Sequence, residues 1–236
     1  MKNVKIKAHI SQLTNIPIRS IIYLRGEGFI SDAIIEAQNI YWEEFGKQSQ
    51  FSHVAIRLDD GNIYESTVML NTIKKRKTIN ILGWQKTISY PIIQFVYNVC
   101  ATPLDKYLKR LQKNHYEKVA IHTNFTEISN TQWLRVLEAA QKLHKEHYKY
   151  GGLELFGTLF TLIKWKLTKD PQKRKELFAR RNPFDDPKSV YCIAFVADIM
   201  KAANIPYTPK NIHTSQLTVD HGYYTKLKHD EYIYTR

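Results

Sequence analysis

Hydrophobic positions along this chain change period repeatedly, and each change predicts a different element. Ile18 to Leu24 is a run of β-branched and aromatic residues that stops at Gly26 and Gly28. Ile30, Ala33, Ile34 and Ala37 then recur at helical spacing, so strand, turn and helix follow one another. Phe51 to Leu58 and Asn62 to Val68 read as two strands joined by Asp59, Asp60 and Gly61, where glycine reaches the positive φ that a three-residue hairpin loop needs. Thr87 to Val99 predicts another strand. Pro103 opens a short helix through Leu104, Leu108 and Leu111, and Lys118 to His122 predicts a short strand.

A long amphipathic helix follows, with Ser129 or Asn130 as its N-cap and Trp133, Leu134, Leu137, Ala140 and Leu143 on the face expected to pack on the sheet. It ends before Gly151 and Gly152. Leu153 to Trp165 is apolar almost all round, which predicts either a buried helix or one lying on a membrane surface. After Pro183 and Pro187, Ser189 is placed to cap a helix whose first turn holds Cys192. Ile193, Val196, Ile199, Met200 and Ala203 form its buried face, and Asn204, Ile205 and Pro206 stop it. With no internal repeat and no Ser/Gly linker, the expectation is an α+β chain folded as a single domain over residues 1–236.

Composition narrows the function classes. The 43% hydrophobic content supports a core, which excludes disorder as the main state. Of the net charge of +13, residues 164–181 carry +6 and Lys74 to Lys77 carry +4, so the excess is local and the rest of the chain is nearly balanced. The basic segment Met1 to Lys7 is followed by apolar stretches broken at Gln12, Asn15 and Arg19, which predicts no signal peptide. The longest uncharged apolar run has nine residues, where a spanning helix needs about twenty. A cytoplasmic protein, peripheral to a membrane at most, is expected.

Two cysteines make no disulfide framework, and no Cys/His spacing suggests zinc. Cys100 follows an apolar strand and reads as a small buried hydrophobe. Cys192 differs in position, because the first turn of a helix presents unsatisfied amides and partial positive charge that favour a thiolate. A thiol nucleophile needs a base. Alternation along the hairpin puts His53, Ala55 and Arg57 on one strand face, and pairing Leu58 with Asn62 sets Ala55 opposite Glu65. His53 and Glu65 are then diagonal neighbours, and the carboxylate can orient the imidazole.

Five features occur in one order: a strand running into Arg25-Gly26-Glu27-Gly28-Phe29, then Phe51 to Ile56 with His53, then Tyr64-Glu65-Ser66, then Tyr148 to Gly152, and last Tyr191-Cys192 opening a helix. Tyr207-Thr208-Pro209 and Ser215 follow. This order resembles the circularly permuted NlpC-type branch of the papain-like superfamily, which includes YiiX-like and poxviral proteins and is related to lecithin:retinol acyltransferase. In ordinary papain-like enzymes the cysteine helix precedes the histidine strand, whereas here the cysteine comes 139 residues after the histidine. The resemblance implies a permuted papain-like fold with an antiparallel sheet packed with helices and the catalytic cysteine at a helix N-terminus. It implies Cys192 as nucleophile, His53 as general base and then acid, and Glu65 as the group orienting His53. Arg25, Tyr191 and Ser66 are assigned to substrate binding. Segments of about 70–102 and 153–188 exceed a minimal core of this type and read as insertions.

The implied activity is that of a cysteine hydrolase or acyltransferase on an amide or ester, peptide-like or lipid-like, with no cofactor and no metal. Lys164, Lys166 and Lys169 adjoin the apolar helix and suggest an anionic membrane surface as a partner. The contrasting expectation is an inert papain-like module whose basic segments hold a polyanion. No nucleic-acid motif supports that, and there is no phosphate loop, dinucleotide fingerprint or serine elbow. His144 and His147, one helical turn apart, lack further metal ligands nearby.

Overall fold

Residues 20–24 are all buried and show no polar alternation, because both sides of their strand are covered. The computed structural model describes residues 5–81, 84–113 and 116–236, and side chains outside 5–7, 29–30, 68–97 and 154. Its elements are β1 (Lys5–His9), β2 (Ser20–Gly26), α1 (Phe29–Trp42), β3 (His53–Arg57), β4 (Asn62–Ile81), β5 (Trp84–Pro103), α2 (Leu104–Lys113), β6 (Tyr116–Thr123), α3 (Asn130–Lys145), β7 (Lys149–Tyr150), α4 (Gly152–Leu167), α5 (Pro171–Ala179), β8 (Ser189–Val190), α6 (Cys192–Ala202), α7 (Val219–Tyr223) and β9 (Asp230–Thr235). The fold is mixed α+β. Its main sheet has the order β1-β9-β6-β2-β3-β4-β5, antiparallel except where β1 runs parallel to β9.

Helices cover both faces. On one, α3, α4, α6 and α7 share a core with Ile21, Tyr23, Val54, Ile56 and Tyr64. On the other, α2 and the turn at residues 10–16 pack Tyr107, Leu111, Ile10 and Leu13 against Ile22, Leu24, Ala55 and Ile63. The hairpin between β3 and β4 has the expected loop and register. The Leu58 amide donates to the Asn62 carbonyl at 3.1 Å, Gly61 has φ +80°, and Ile56 and Arg57 lie opposite Tyr64 and Ile63.

Elsewhere the structure differs from the periodicity. β4 and β5 each run for 20 residues and stay paired from Asn62 and Pro103 to Ile81 and Trp84, so the segment of about 70–102, expected as an insertion, is built into a long two-stranded ribbon. The side chains of Lys74 to Lys77 on this ribbon, and residues Met1 to Val4, lie outside the described residues. In α3 the N-cap is Ser129, which forms a reciprocal capping box with Gln132, and Val136 takes the buried place expected for Leu134. The apolar side of α3 packs on α6 and β5.

The cysteine helix begins without the expected Ser189 cap. Ser189 is instead held in β8, paired with Lys149 of β7, and Tyr191 occupies the cap position with no side-chain hydrogen bond to the first turn. α6 ends in a Schellman arrangement, in which Asn204 takes φ +56° and the Ile205 amide donates to the Met200 carbonyl at 2.9 Å. Ile193, Phe195, Val196, Ile199 and Met200 are fully buried, a gross hydrophobic contribution of roughly 10 kcal/mol. That burial anchors the N-terminus of α6, and so Cys192, against β3 and β4.

The second expected insertion, 153–188, consists of α4, α5 and the loop to β8. α4 is buried along Leu162 and Trp165, while Leu153, Phe156, Phe160, Ile163 and Leu167 are exposed. Among the described residues no helix is long and apolar enough to cross a membrane.

Candidate active site

His53 is the first residue of β3 and Glu65 the fourth of β4, and the hairpin register brings their side chains to the face covered by α2. His53 Nε2 and Glu65 Oε2 are 2.8 Å apart. The other carboxylate oxygen of Glu65 accepts a hydrogen bond from the Arg110 guanidinium, supplied by α2. The Glu65 side chain is 1% exposed, so these partners replace the water it loses on folding. Burial alone works to raise its pKa, but the hydrogen bond with His53 and then the charge of Arg110 outweigh burial and hold the carboxyl below its ordinary range.

Cys192 reaches the same imidazole from the other side of the sheet, at the end where β3 begins. Its thiol lies close enough to the His53 imidazole to favour the protonated ring. Burial disfavours a charge on His53, but the interactions with Cys192 and Glu65 dominate and push the imidazole up to about 9. Thiol, imidazole, carboxylate and guanidinium thus form one chain of contacts drawn from α6, β3, β4 and α2.

The approach of Cys192 is fixed by its immediate predecessors. The Ser66 hydroxyl on β4 donates to the Val190 carbonyl at 2.5 Å, and the Gly151 amide donates to the same carbonyl at 3.0 Å. The tyrosine-rich segment before α4 therefore forms β7 beside the cysteine, and the half-buried Tyr150 phenol is raised by desolvation and by the proximity of Cys192.

No family model and no curated protein matches the chain.

The sequence-predicted site residues fall into two groups. The structure brings Cys192, His53 and Glu65 together. Arg25, Tyr191 and Ser66, expected to bind substrate, are engaged otherwise. Ser66 is fully buried and holds Val190, and Arg25 at the end of β2 is paired with Glu117 at 2.6 Å. The Tyr191 hydroxyl donates to the Leu217 carbonyl at 2.7 Å, although its ring does line a narrow cavity at Cys192. That cavity has a volume of ≈ 20 Å³, room for about one water molecule, and is walled by Ile34 of α1 and by Leu155, Leu159 and Leu162 of α4. A larger cavity of ≈ 680 Å³, between α6 and the 204–214 loop, touches none of the three. His144 donates from Nδ1 to the Val99 carbonyl at 2.8 Å, and no group of three or more metal-ligating side chains is found among the described residues.

Sequence reasoning missed Arg110. Its signal is its place on α2, three residues after Tyr107 and one before Leu111, beside the apolar face that meets the sheet. The structure also separates the two thiols. Cys100 lies opposite Glu65 in the β4–β5 register, donates to Asn98, and is pushed up to about 11 by burial and then by the Glu65 charge.

Proposed function

We propose that the protein is a thiol hydrolase or acyltransferase of the circularly permuted, papain-like NlpC type, acting on an amide or ester carbonyl. The observation that carries this reading is the placement of the Cys192 thiol beside an imidazole whose Nε2 is bonded to a buried carboxylate. The order of the elements, with the histidine strand before the cysteine helix, supports the permuted form.

With Nε2 of His53 directed to Glu65, Nδ1 is the ring nitrogen left to exchange a proton with sulfur. The Cys192 sulfur attacks the carbonyl carbon to give a tetrahedral oxyanion, with its proton held on His53. The oxyanion collapses as His53 returns that proton to the departing amine or alcohol, leaving an acyl thioester on Cys192. His53 then takes a proton from water, or from an acceptor alcohol or amine, as that oxygen or nitrogen attacks the thioester. Collapse of the second tetrahedral state restores the thiol. The backbone amide of Cys192, in a first turn without a side-chain cap, is the natural oxyanion donor.

A thiol-directed acyl probe tests this assignment. Wild-type protein labels at Cys192 and hydrolyses a short-chain activated ester, and Cys192→Ala abolishes both. Labelling that persists at Cys100 defeats the assignment. Polyanion binding without labelling or hydrolysis favours an inert binding module instead.

A further inference from the structure

α4 has two apolar faces with different fates. Leu162 and Trp165 point into the core, and Leu155 and Leu159 help wall the cavity at Cys192. Leu153, Phe156, Phe160, Ile163 and Leu167 are 49–77% exposed, and their spacing of three and four residues aligns them in one stripe along the helix. Isolated exposed apolar residues are common on protein surfaces, whereas a contiguous row of five large ones marks a contact surface.

The charges beside the stripe indicate what it contacts. The Lys164 ammonium lies 5.3 Å from the centre of the Phe160 ring, and exposed Lys166 and Lys169 follow at the same end. Among the described residues none of these three lysines has a carboxylate within salt-bridge distance. Four nearby acidic residues are engaged elsewhere: Glu44 with Arg174, Glu176 with Arg180, Asp185 with Arg181, and Asp170 with the first-turn amides of α5. The one acidic position on α4, Glu154, is ten residues before Lys164, about 15 Å along the axis. A second copy laid antiparallel on this stripe would set its three lysines toward a single acidic position, Glu154, so positive charge would be left uncompensated at each end. An anionic bilayer surface offers acyl chains to the stripe and negative head groups to the lysines, whose aliphatic stems cover apolar surface while their ammonium groups stay in water.

We infer that α4 is a membrane-docking helix, which lies in the interface of an anionic bilayer with Phe156 and Phe160 inserted and Lys164, Lys166 and Lys169 among the head groups. With a length of about 24 Å it lies on a membrane and does not span it. Docking would place the wall of the Cys192 cavity against the lipid. The link to acyl chemistry rests on the proposed thiol mechanism; the docking itself does not.

Flotation of the full chain with vesicles tests the inference. Vesicles of phosphatidylcholine containing about 30 mol % phosphatidylserine carry the protein up at low salt, and pure phosphatidylcholine vesicles carry about tenfold less. Phe156→Gln/Phe160→Gln lowers the partition coefficient by about tenfold or more, because the two buried rings are lost from the interface. Lys164→Glu/Lys166→Glu lowers it by about tenfold or more. All four side chains are exposed, so unchanged melting temperatures accompany these losses. Cys192→Ala floats like wild type, while acyl-probe labelling without vesicles reports the thiol chemistry, so either reading can fail alone. Absence of flotation at low salt overturns docking, as does flotation that the phenylalanine variant leaves within about twofold. A dimer at micromolar concentration that the same variant dissolves assigns the stripe to a second copy and also overturns it.

Discussion

Replacing Arg110 with methionine keeps an unbranched side chain but removes the cation that faces Glu65 and lies over the Tyr107 ring. The carboxylate is then left 1% exposed with one oxygen still bonded to His53 and the other without its partner. Removing one member of a fully buried pair costs about 3–5 kcal/mol. The Arg110 side chain is 23% exposed and His53 still stabilises the carboxylate, so the expected loss is about 2–3 kcal/mol. In urea this moves the midpoint down by about 1 M. The pH dependence has a definite sign. Glu65 is held below its ordinary range in the folded state, so its contribution is present above the unfolded value and is lost as pH falls through the folded one. The gap between wild type and Arg110→Met is therefore full at pH 7 and narrows on acidification below about pH 4. A double-mutant cycle with Glu65→Gln isolates the pair, with an expected coupling of about 2 kcal/mol. Additive single-mutant effects, agreeing within about 0.5 kcal/mol, would refute the pairing.

Other outcomes follow from the same geometry. His53 is pushed up to about 9, so the stability it adds is complete below its unfolded value near 6.5 and disappears as pH rises through 9. The stability difference between wild type and His53→Gln should shrink over that window in urea titrations, and a constant difference refutes the raised imidazole. The comparison cancels the partly buried Asp198 and the buried Asp220, whose carboxyls desolvation raises to about 6 and 7. A Cβ added at Gly157 would overlap the side-chain amide of Asn182, so Gly157→Ala should destabilise by about 1–3 kcal/mol, and an unchanged melting temperature contradicts this packing. At pH 8 a thiol raised to about 11 is ionised in about one molecule in a thousand. Alkylation kinetics of Cys192→Ala should therefore show Cys100 as a slow site, and rapid alkylation contradicts its burial.

What was legible in the sequence was mostly local. The Gly61 loop fixes the β3–β4 register, and the register alone sets His53 near Glu65. The burial of Ile193, Val196, Ile199 and Met200 shows in their spacing, as does the stop at Asn204. The start of α6 differs from its sequence pattern because Ser189 has two competing uses, as a cap or as a strand residue, and pairing with β7 decides between them. Leu134 and Val136 are similarly ambiguous, since two faces of α3 are apolar enough to be read as the inside. Arg110 shares α2 with Lys106, Lys109 and Lys113, and only the packing of that helix on the sheet selects the cation that meets Glu65. The insertion of β9 between β1 and β6 joins segments far apart in the chain, which no local pattern encodes.

The separation of the histidine hairpin from the cysteine helix also orders events in time. At a synthesis rate of 5–20 residues per second, the 139 positions between His53 and Cys192 take about 7–28 s to make. For most of that interval, once Glu65 is made, a nascent chain carries imidazole and carboxylate but no Cys192 thiol to join them, and Val190 has yet to meet Ser66. A chain released early, anywhere in this stretch, holds half a site. On the proposed thiol mechanism two fragments divided there are each silent, and acyl transfer on mixing them reports their reassembly.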